Sequence, residues 1–314
     1  MKKTWFISDG TYKANLHCHT THSDGKHTPE EIKRIYQEQG YSIVAFTDHD
    51  VLTPLHHLTD ENFLALCGFE VAINETAVNS PSSKDLKTYH FNFYGTRPDM
   101  EKTPPLPQMA YDDLAGINRY IADRIEEGYL ACYNHPYWSL QTYEDYARLE
   151  GLFAMEIYNH NCEVEDGFCG YHPQVYDEML RSGMRLFCLS TDDNHNAFPR
   201  DSPYYDSFGG FVQINSKSLG YEDVIDALKQ GDFYASQGPE IYEISLEGRQ
   251  LLIRCSPCQS IKVYTQGRKC FTIFGEALTE ARFELTGQEA YVRVVCQDKD
   301  KKEANSNAYW LNKR

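Results

Sequence analysis

The sequence predicts an α/β chain, a parallel sheet covered by helices, followed by a small all-β part. Three observations predict it. Over the first 235 or so residues strand-like and helix-like segments alternate, as repeated β-α units do. Several of the strands run into His, Asp or Asn at their C-terminal ends, where a barrel places its catalytic residues. After Ser236-Gln237-Gly238-Pro239, a punctuation cluster, the texture changes to short alternating segments with no long helix. The expected division is residues 1–238 and residues 239–314.

Each element has a local reason. Residues 14–19 read as a strand. Thr28-Pro29-Glu30-Glu31 is a capping box with Pro at the first helical position, Ile32, Ile35 and Tyr36 keep helical spacing, and Gly40 is the stop. Residues 42–46 form a short apolar strand ending in Thr47-Asp48-His49. Residues 63–73 and 88–94 read as strands, with loops at 80–87 and in the Pro-rich stretch 97–108. Residues 112–127 spell a helix with Leu114, Ile117, Ile121 and Ile125 on one face. The alternation continues with strand 129–133, helix 142–149, strand 153–158, helix 173–182, strand 185–190, strand 209–214 and helix 221–230. In the tail, residues 241–246, 251–255, 260–264, 281–285 and 290–295 read as strands of a small sandwich or capping sheet. The parallel sheet is either open or closed into a barrel.

Composition narrows the function classes. The hydrophobic share is 41 %, roughly 47 % with glycine included, within the globular range. Net charge is −16, which opposes a nucleic-acid-binding surface but not a small phosphate held by metals. No apolar run reaches the roughly 20 residues needed to span a bilayer. The basic start, Met1-Lys2-Lys3, precedes too short an apolar stretch for a secretory signal. The ten cysteines have no disulfide-framework spacing and read as reduced thiols of a cytoplasmic protein. Cys255-Ser256-Pro257-Cys258, with Cys270 and Cys296, matches no strong zinc pattern.

The chemistry lies in a constellation rather than in one motif. His17-Cys18-His19 ends the first strand and Asp24 follows it. His49 ends the second strand, Glu70 and His90 lie on the next two, His135 ends the one after, and Asp193 and His195 follow a later one. His90 lies inside an alternating strand, where a core histidine would also sit. Six imidazoles and three carboxylates suit Zn, Mn or Fe and exceed what one ion needs, so the set points to two or three divalent ions. No Gly-rich phosphate loop or Gly-x-Ser-x-Gly elbow is present.

In order and context, His17-x-His19, Asp24, Thr47-Asp48-His49-Asp50, Gly68-x-Glu70, His90, Asn134-His135-Pro136 and Asp193-x-His195 resemble the PHP (polymerase and histidinol phosphatase) superfamily of metal-dependent phosphoesterases. The resemblance covers residues 12–235 or so and implies a distorted (β/α)7 barrel. Residues 135–139, 192–195 and 232–240 are most similar to the carbaryl-hydrolase-like branch. The resemblance implies one site of His17, His19 and Asp193, with Glu70 bridging to a second that adds His90 and His135, and a third of Asp24, His49 and His195. It leaves open whether Asp192 or Asp193 is the ligand. It further implies a hydroxide on the metals, held by Glu70 and Asp193, that attacks phosphorus in a small phosphate ester, with no nucleic-acid polymer or membrane as partner. Arg200 is the candidate to grip phosphate, although a solvated loop arginine fits that position equally well, and Tyr158 and Asn159 are candidates to line the pocket. Two alternatives stay open. The same centre would serve to cleave a carbamate or carboxylic ester, or the chain would be a metal-binding accessory domain without turnover, like the PHP domains attached to some DNA polymerases.

Overall fold

The computed structural model describes residues 2–76, 85–165, 167 and 170–311. The first strand, β1 (Lys2–Ile7), precedes β2 (Thr11–Asn15), which is shorter than the expected segment because the chain leaves regular pairing at Leu16. Thr28 caps α1 (Pro29–Gln37): its hydroxyl accepts from the Glu31 amide at 3.3 Å while the Glu31 carboxylate accepts from the Thr28 amide at 2.9 Å. β3 (Ile43–Phe46) is buried throughout, as a strand covered on both faces should be. A 3₁₀ turn at His56–Leu58 leads to β4 (Leu64–Asn74), then β5 (Thr88–Gly95). The loop expected at 80–87 lies mostly outside the described residues; 97–108 is irregular, as its prolines dictate.

Asp113 caps α2 (Leu114–Glu126) by accepting from the Gly116 amide; Ile117 and Ile121 bury, while Ile125, expected on the same face, is 40 % exposed. Then come β6 (Tyr129–Tyr133), a single turn α3 (Tyr143–Tyr146), β7 (Ala154–Asn159), a short α4 (His160–Val164), α5 (Pro173–Arg181), β8 (Phe187–Thr191) and β9 (Phe211–Asn215). The sequence reading had no α4. Gly231, at φ 74°, ends α6 (Tyr221–Gln230) in the left-handed conformation glycine tolerates. The remainder is all strand: β10 (Phe233–Ser236), β11 (Ile241–Glu247), β12 (Gln250–Tyr264), β13 (Phe271–Glu284), β14 (Tyr291–Gln297), β15 (Glu303–Ser306) and β16 (Tyr309–Trp310).

The molecule is thus an α/β part joined to a large β-rich part, and the strands form one continuous path. The order is β1-β11-β12-β14-β15-β10-β9-β2-β3-β4-β5-β6-β7-β8, with β13 beside β12 and β16 beside β14. β2, β3 and β4 are parallel, as are β6, β7 and β8. β5 is antiparallel to both neighbours, which corrects the all-parallel expectation. Among the described residues no helix lies between β4 and β5, so that pair has no crossover helix of the kind a parallel pair needs, whereas β5 and β6 are antiparallel although α2 lies between them. Regular ladders leave this path open at β8, so the sheet is not a closed one. An isolated parallel bridge between Cys18 and Asn194 nevertheless links the segment after β2 to the segment after β8. Two backbone bonds of 3.0 Å accompany it, His19 N–H to Asn194 O and Asp193 N–H to His17 O.

Inside the α/β part, Ala14, Ile43, Ala45, Leu64, Leu66, Ala154, Leu189 and Val212 pack together, and small residues there keep the strands close. The tail has its own core of Ile244, Ile253, Ile261, Val263, Val292 and Val294. The parts are clamped by Arg293 on β14, whose buried guanidinium makes a two-pronged pair with Asp177 of α5 at 2.7 and 2.9 Å. No helix among the described residues is long and apolar enough to cross a membrane.

Candidate metal centre

The donors converge where strands end. His17 and His19 lie just past β2, Asp24 on the turn before α1, and His49 just past β3. Glu70 is on β4, His90 on β5, His135 past β6, and Asp193 and His195 past β8. Among the described residues three sets of donor atoms lie within 4.8 Å of one another: His17, His19, Glu70 and Asp193; Glu70, His90 and His135; and His19, Asp24, His49 and His195.

Glu70 stands between the first two sets. Its Oε2 is 3.4 Å from the Nε2 atoms of both His17 and His19 and 3.0 Å from His49 Nδ1, while its Oε1 is 3.0 Å from His90 Nδ1 and 3.5 Å from His135 Nε2. Asp193 Oδ1 is 3.0 Å from Nε2 of both His17 and His19, and its Oδ2 is 3.8 Å from His135. His17 Nε2 and His19 Nε2 face each other at 3.1 Å. Two imidazole nitrogens and two carboxylate oxygens aimed at one buried point fit a borderline divalent cation. Asp24 completes the outer set, 3.5 Å from His195, 3.8 Å from His49 and 3.9 Å from His19.

Local backbone explains this convergence. Asp193 sits at φ 54° and His135 at φ 22°, conformations that L-residues rarely adopt and that cluster at functional sites. The turn at Asp193 sends adjacent carboxylates apart. Asp193 faces His17 and His19, whereas Asp192 accepts from the amides of Phe208, Gly209 and Gly210 and from the Tyr36 hydroxyl. Gly25 is required by close approach, since a Cβ there would lie 2.5 Å from the His19 carbonyl oxygen.

Among the groups that brace the donors, Glu156 and Asp206 stand in no motif of the sequence, and Asp48 and Asn134 stand there only as neighbours of His49 and His135. Glu156, fully buried on β7, contacts His17 Nδ1 at 2.7 Å and accepts from Thr191 Oγ1 at 2.7 Å, the His135 amide at 3.0 Å and Asn159 Nδ2 at 3.0 Å. Its one signal was a lone carboxylate within the apolar run 154–158. Asp48 accepts from the Thr20 amide and hydroxyl and from Ser23 Oγ at 2.7–2.8 Å, fixing the turn that carries Asp24. Asp206 accepts from the amides of His195 and Asn196. Asn134 Nδ2 donates to Glu70 Oε1 at 2.8 Å.

Without an ion, charge in the centre balances through protons. Burial opposes a charged His17, but Asp193, Glu70 and Glu156 prevail and hold its imidazolium well above the usual range. His19 behaves alike: burial is outweighed by bonds to Asp193 and Glu70, and its pKa rises to about 9. Burial pushes the carboxyls of Glu70 and Asp193 up, yet the surrounding imidazoles hold both well below the usual carboxylate range. At the rim the sign reverses, as burial lowers His49 and, together with nearby His19, takes His195 down to about 4.

The centre opens into a cleft of about 370 Å³ lined also by Lys26, Trp138, Asn161, Cys162, Glu165 and Ala197. Trp138 stands edge-on to His90 and His135, 5.4 and 5.0 Å away. Lys26 is the cation in this lining, its ammonium 3.2 Å from the Asp24 carbonyl. Arg200 is exposed elsewhere, over the Phe208 ring at 5.5 Å. Tyr158 is buried with its hydroxyl 2.8 Å from His160 Nδ1, and neither it nor Asn159 lines the cleft. Asn159 instead donates to both Glu156 and Asp193 at 3.0 Å.

A model of the PHP domain matches residues 15–230. Among curated proteins none matches the chain. Among solved structures, one similar chain is a two-domain protein from Bacteroides vulgatus described as containing a predicted PHP-like metal-dependent phosphoesterase. It is 16 % identical, with 95 % of each chain covered and a TM-score of 0.49. A protein from Bifidobacterium adolescentis described as a putative metal-dependent phosphoesterase is 13 % identical, covering 60 % of this chain and 90 % of that one, TM-score 0.39. An amidohydrolase from Chromobacterium violaceum is 13 % identical, covering 58 % and 87 %, TM-score 0.40.

Proposed function

Because the chain belongs to the PHP domain family, we propose that it is a metal-dependent hydrolase of a small phosphate ester, working at a centre of two or three divalent ions. The observation that supports this reading is the convergence of three donor sets, two of them sharing Glu70, at one end of the strands. On this reading β2 to β8 form the distorted (β/α)7 barrel, drawn together at the Cys18–Asn194 bridge, and residues 239–314 are a β tail. The cysteine spacing, which forms no disulfide framework, suits a cytoplasmic protein.

His17, His19 and Asp193 would hold one ion, His90 and His135 a second, with Glu70 between them, and Asp24, His49 and His195 a third. Mn, Zn and Fe all suit these donors. When bound, such ions supply Lewis acidity and an acidified water. The chain's own groups do the rest. Glu70 and Asp193 bring negative charge that keeps the ions together. Lys26 grips a non-bridging phosphate oxygen at the rim. Trp138 walls the cleft beside His90 and His135 and excludes water from that side.

The test is phosphate release from a panel of small phosphate esters with Mn²⁺ supplied, with the Asp193→Ala protein as blank. Release that disappears in the blank supports a phosphoesterase. No release from protein shown to hold its ions would overturn the phosphate assignment and turn attention to carbamate and carboxylic esters.

A further inference from the structure

Glu156 touches neither the cleft nor any donor atom aimed at a shared ion point, yet it joins residues of two donor sets. Oε1 meets His17 Nδ1 and the Thr191 hydroxyl, each at 2.7 Å; Oε2 takes the His135 backbone N–H and Asn159 Nδ2, each at 3.0 Å. Asn159 Nδ2 reaches on to Asp193 Oδ2 at 3.0 Å. One carboxylate therefore contacts a residue of the His17 set and one of the His135 set, and through Asn159 it reaches Asp193 as well.

We infer that Glu156 is a positioning residue that couples the loading of the two deep ion sites. This rests on the metal reading above. The carboxylate accepts from backbone and amide N–H groups that can only donate, so it takes the Nδ1 proton of His17 as well. That fixes the His17 tautomer and leaves the Nε2 lone pair facing His19, Asp193 and Glu70. The other oxygen anchors the backbone at His135, a residue at φ 22° that needs an outside constraint to stay there. Outer partners of this kind orient the ring and set its basicity as a ligand. Ordering His17 by an ion also orders Glu156, and through it His135.

Glu156→Gln keeps the shape and replaces one acceptor by an NH₂. In either orientation that NH₂ meets a donor: the His17 and Thr191 side, or the His135 and Asn159 side. In the first case His17 must carry its proton on Nε2, and its lone pair leaves the centre. Thr191→Val removes one donor from Oε1 without touching any ligand.

The test is calorimetric titration of metal-free protein with Zn²⁺, together with ¹⁵N–¹H correlation of the His17 ring in the loaded protein. Wild type is expected to load at least two ions with coupled affinities and to show His17 protonated on Nδ1. Glu156→Gln should lose roughly ten- to a hundredfold in Zn²⁺ affinity, weaken the coupling that Glu70 also carries, and, where its NH₂ faces His17, move the His17 proton to Nε2. Thr191→Val should shift affinity in the same direction by less, and decides the matter if Glu156→Gln does not fold. Variants that bind Zn²⁺ with wild-type affinity, coupling and tautomer would overturn the inference and leave the metal reading intact. Wild type that takes up no Zn²⁺, Mn²⁺ or Fe²⁺ would overturn the metal reading and this inference with it.

Discussion

The two ends of the donor cluster are built differently. The deep end consists of His17, His19, Glu70 and Asp193, with side-chain exposures of 0 to 7 %. It is tied to strands by Glu156, Asn159 and Asn134, and its imidazoles attract protons because carboxylates surround them. At the rim, Asp24 is 56 % exposed, and the turns carrying Asp24 and His195 are held by Asp48 and Asp206. The rim imidazoles His49 and His195 shed protons. Carboxylate neighbours therefore decide the sign of the proton affinity: burial lowers the imidazoles at both ends, and only at the deep end do Asp193 and Glu70 outweigh it, although the residue types are the same.

The sharpest way to break this contrast is to remove a deep donor. Asp193→Asn keeps the volume but halves the acceptor capacity facing His17 and His19, so turnover should fall by roughly three orders of magnitude or more, with far-UV circular dichroism unchanged. A rim change should do less. Asp24→Asn keeps the volume at the rim and removes the charge of the outer set, while the deep carboxylates stay in place. It should cost about ten- to a hundredfold in turnover, and metal analysis should find the deep ions retained. Retention of every ion would show that Asp24 is not a ligand. Lys26→Ala, which removes a rim cation but no donor, should raise KM several-fold and leave kcat nearly unchanged.

The smallest effect is thermal and separates the two ends by pH. In metal-free protein the raised pKa of His19 contributes stability that is full below about 6.5 and is lost as pH rises through about 9. The lowered pKa of His195 does the opposite: protonation is disfavoured in the fold, so stability falls as pH drops from about 6.5 towards about 4. Melting temperature should therefore peak near neutral pH, with arms of a few degrees. The alkaline arm should flatten in His19→Asn and the acid arm in His195→Asn. Identical profiles for both variants would dissolve the distinction.

Much of this was legible in the sequence because strand ends and donor types are local properties. Thr28 and Glu31 announced α1 and form the capping box, and the helix expected at 221–230 is α6. The nine donor candidates fall into three mutual clusters. What was not legible depends on partners distant in sequence. Glu156 reads as an oddity in an apolar strand until His17 and His135 are placed beside it. Asp206 looks like a surface acid until the His195 amide turns towards it. Arg200 was attractive for its position after His195, but the chain carries it to Phe208, and Lys26, on the turn after Asp24, is the cation that lines the cleft. The direction of β5 relative to β6 could not be read either, because the helix between them reads as a parallel crossover and strand sequences do not state which way they run.

The pairing of β1 with β11 has a consequence in time. Lys2 bonds Glu243, 241 positions further along, so β1 is made long before its partner. At ribosomal speed that wait is roughly ten to fifty seconds. Throughout it Trp5 and Phe6 lack the tail core that will cover them, and the α/β part can condense before β1 meets β11. Closing β1 onto β11 therefore waits for a strand made after the whole α/β part, and two apolar side chains stay uncovered in the meantime.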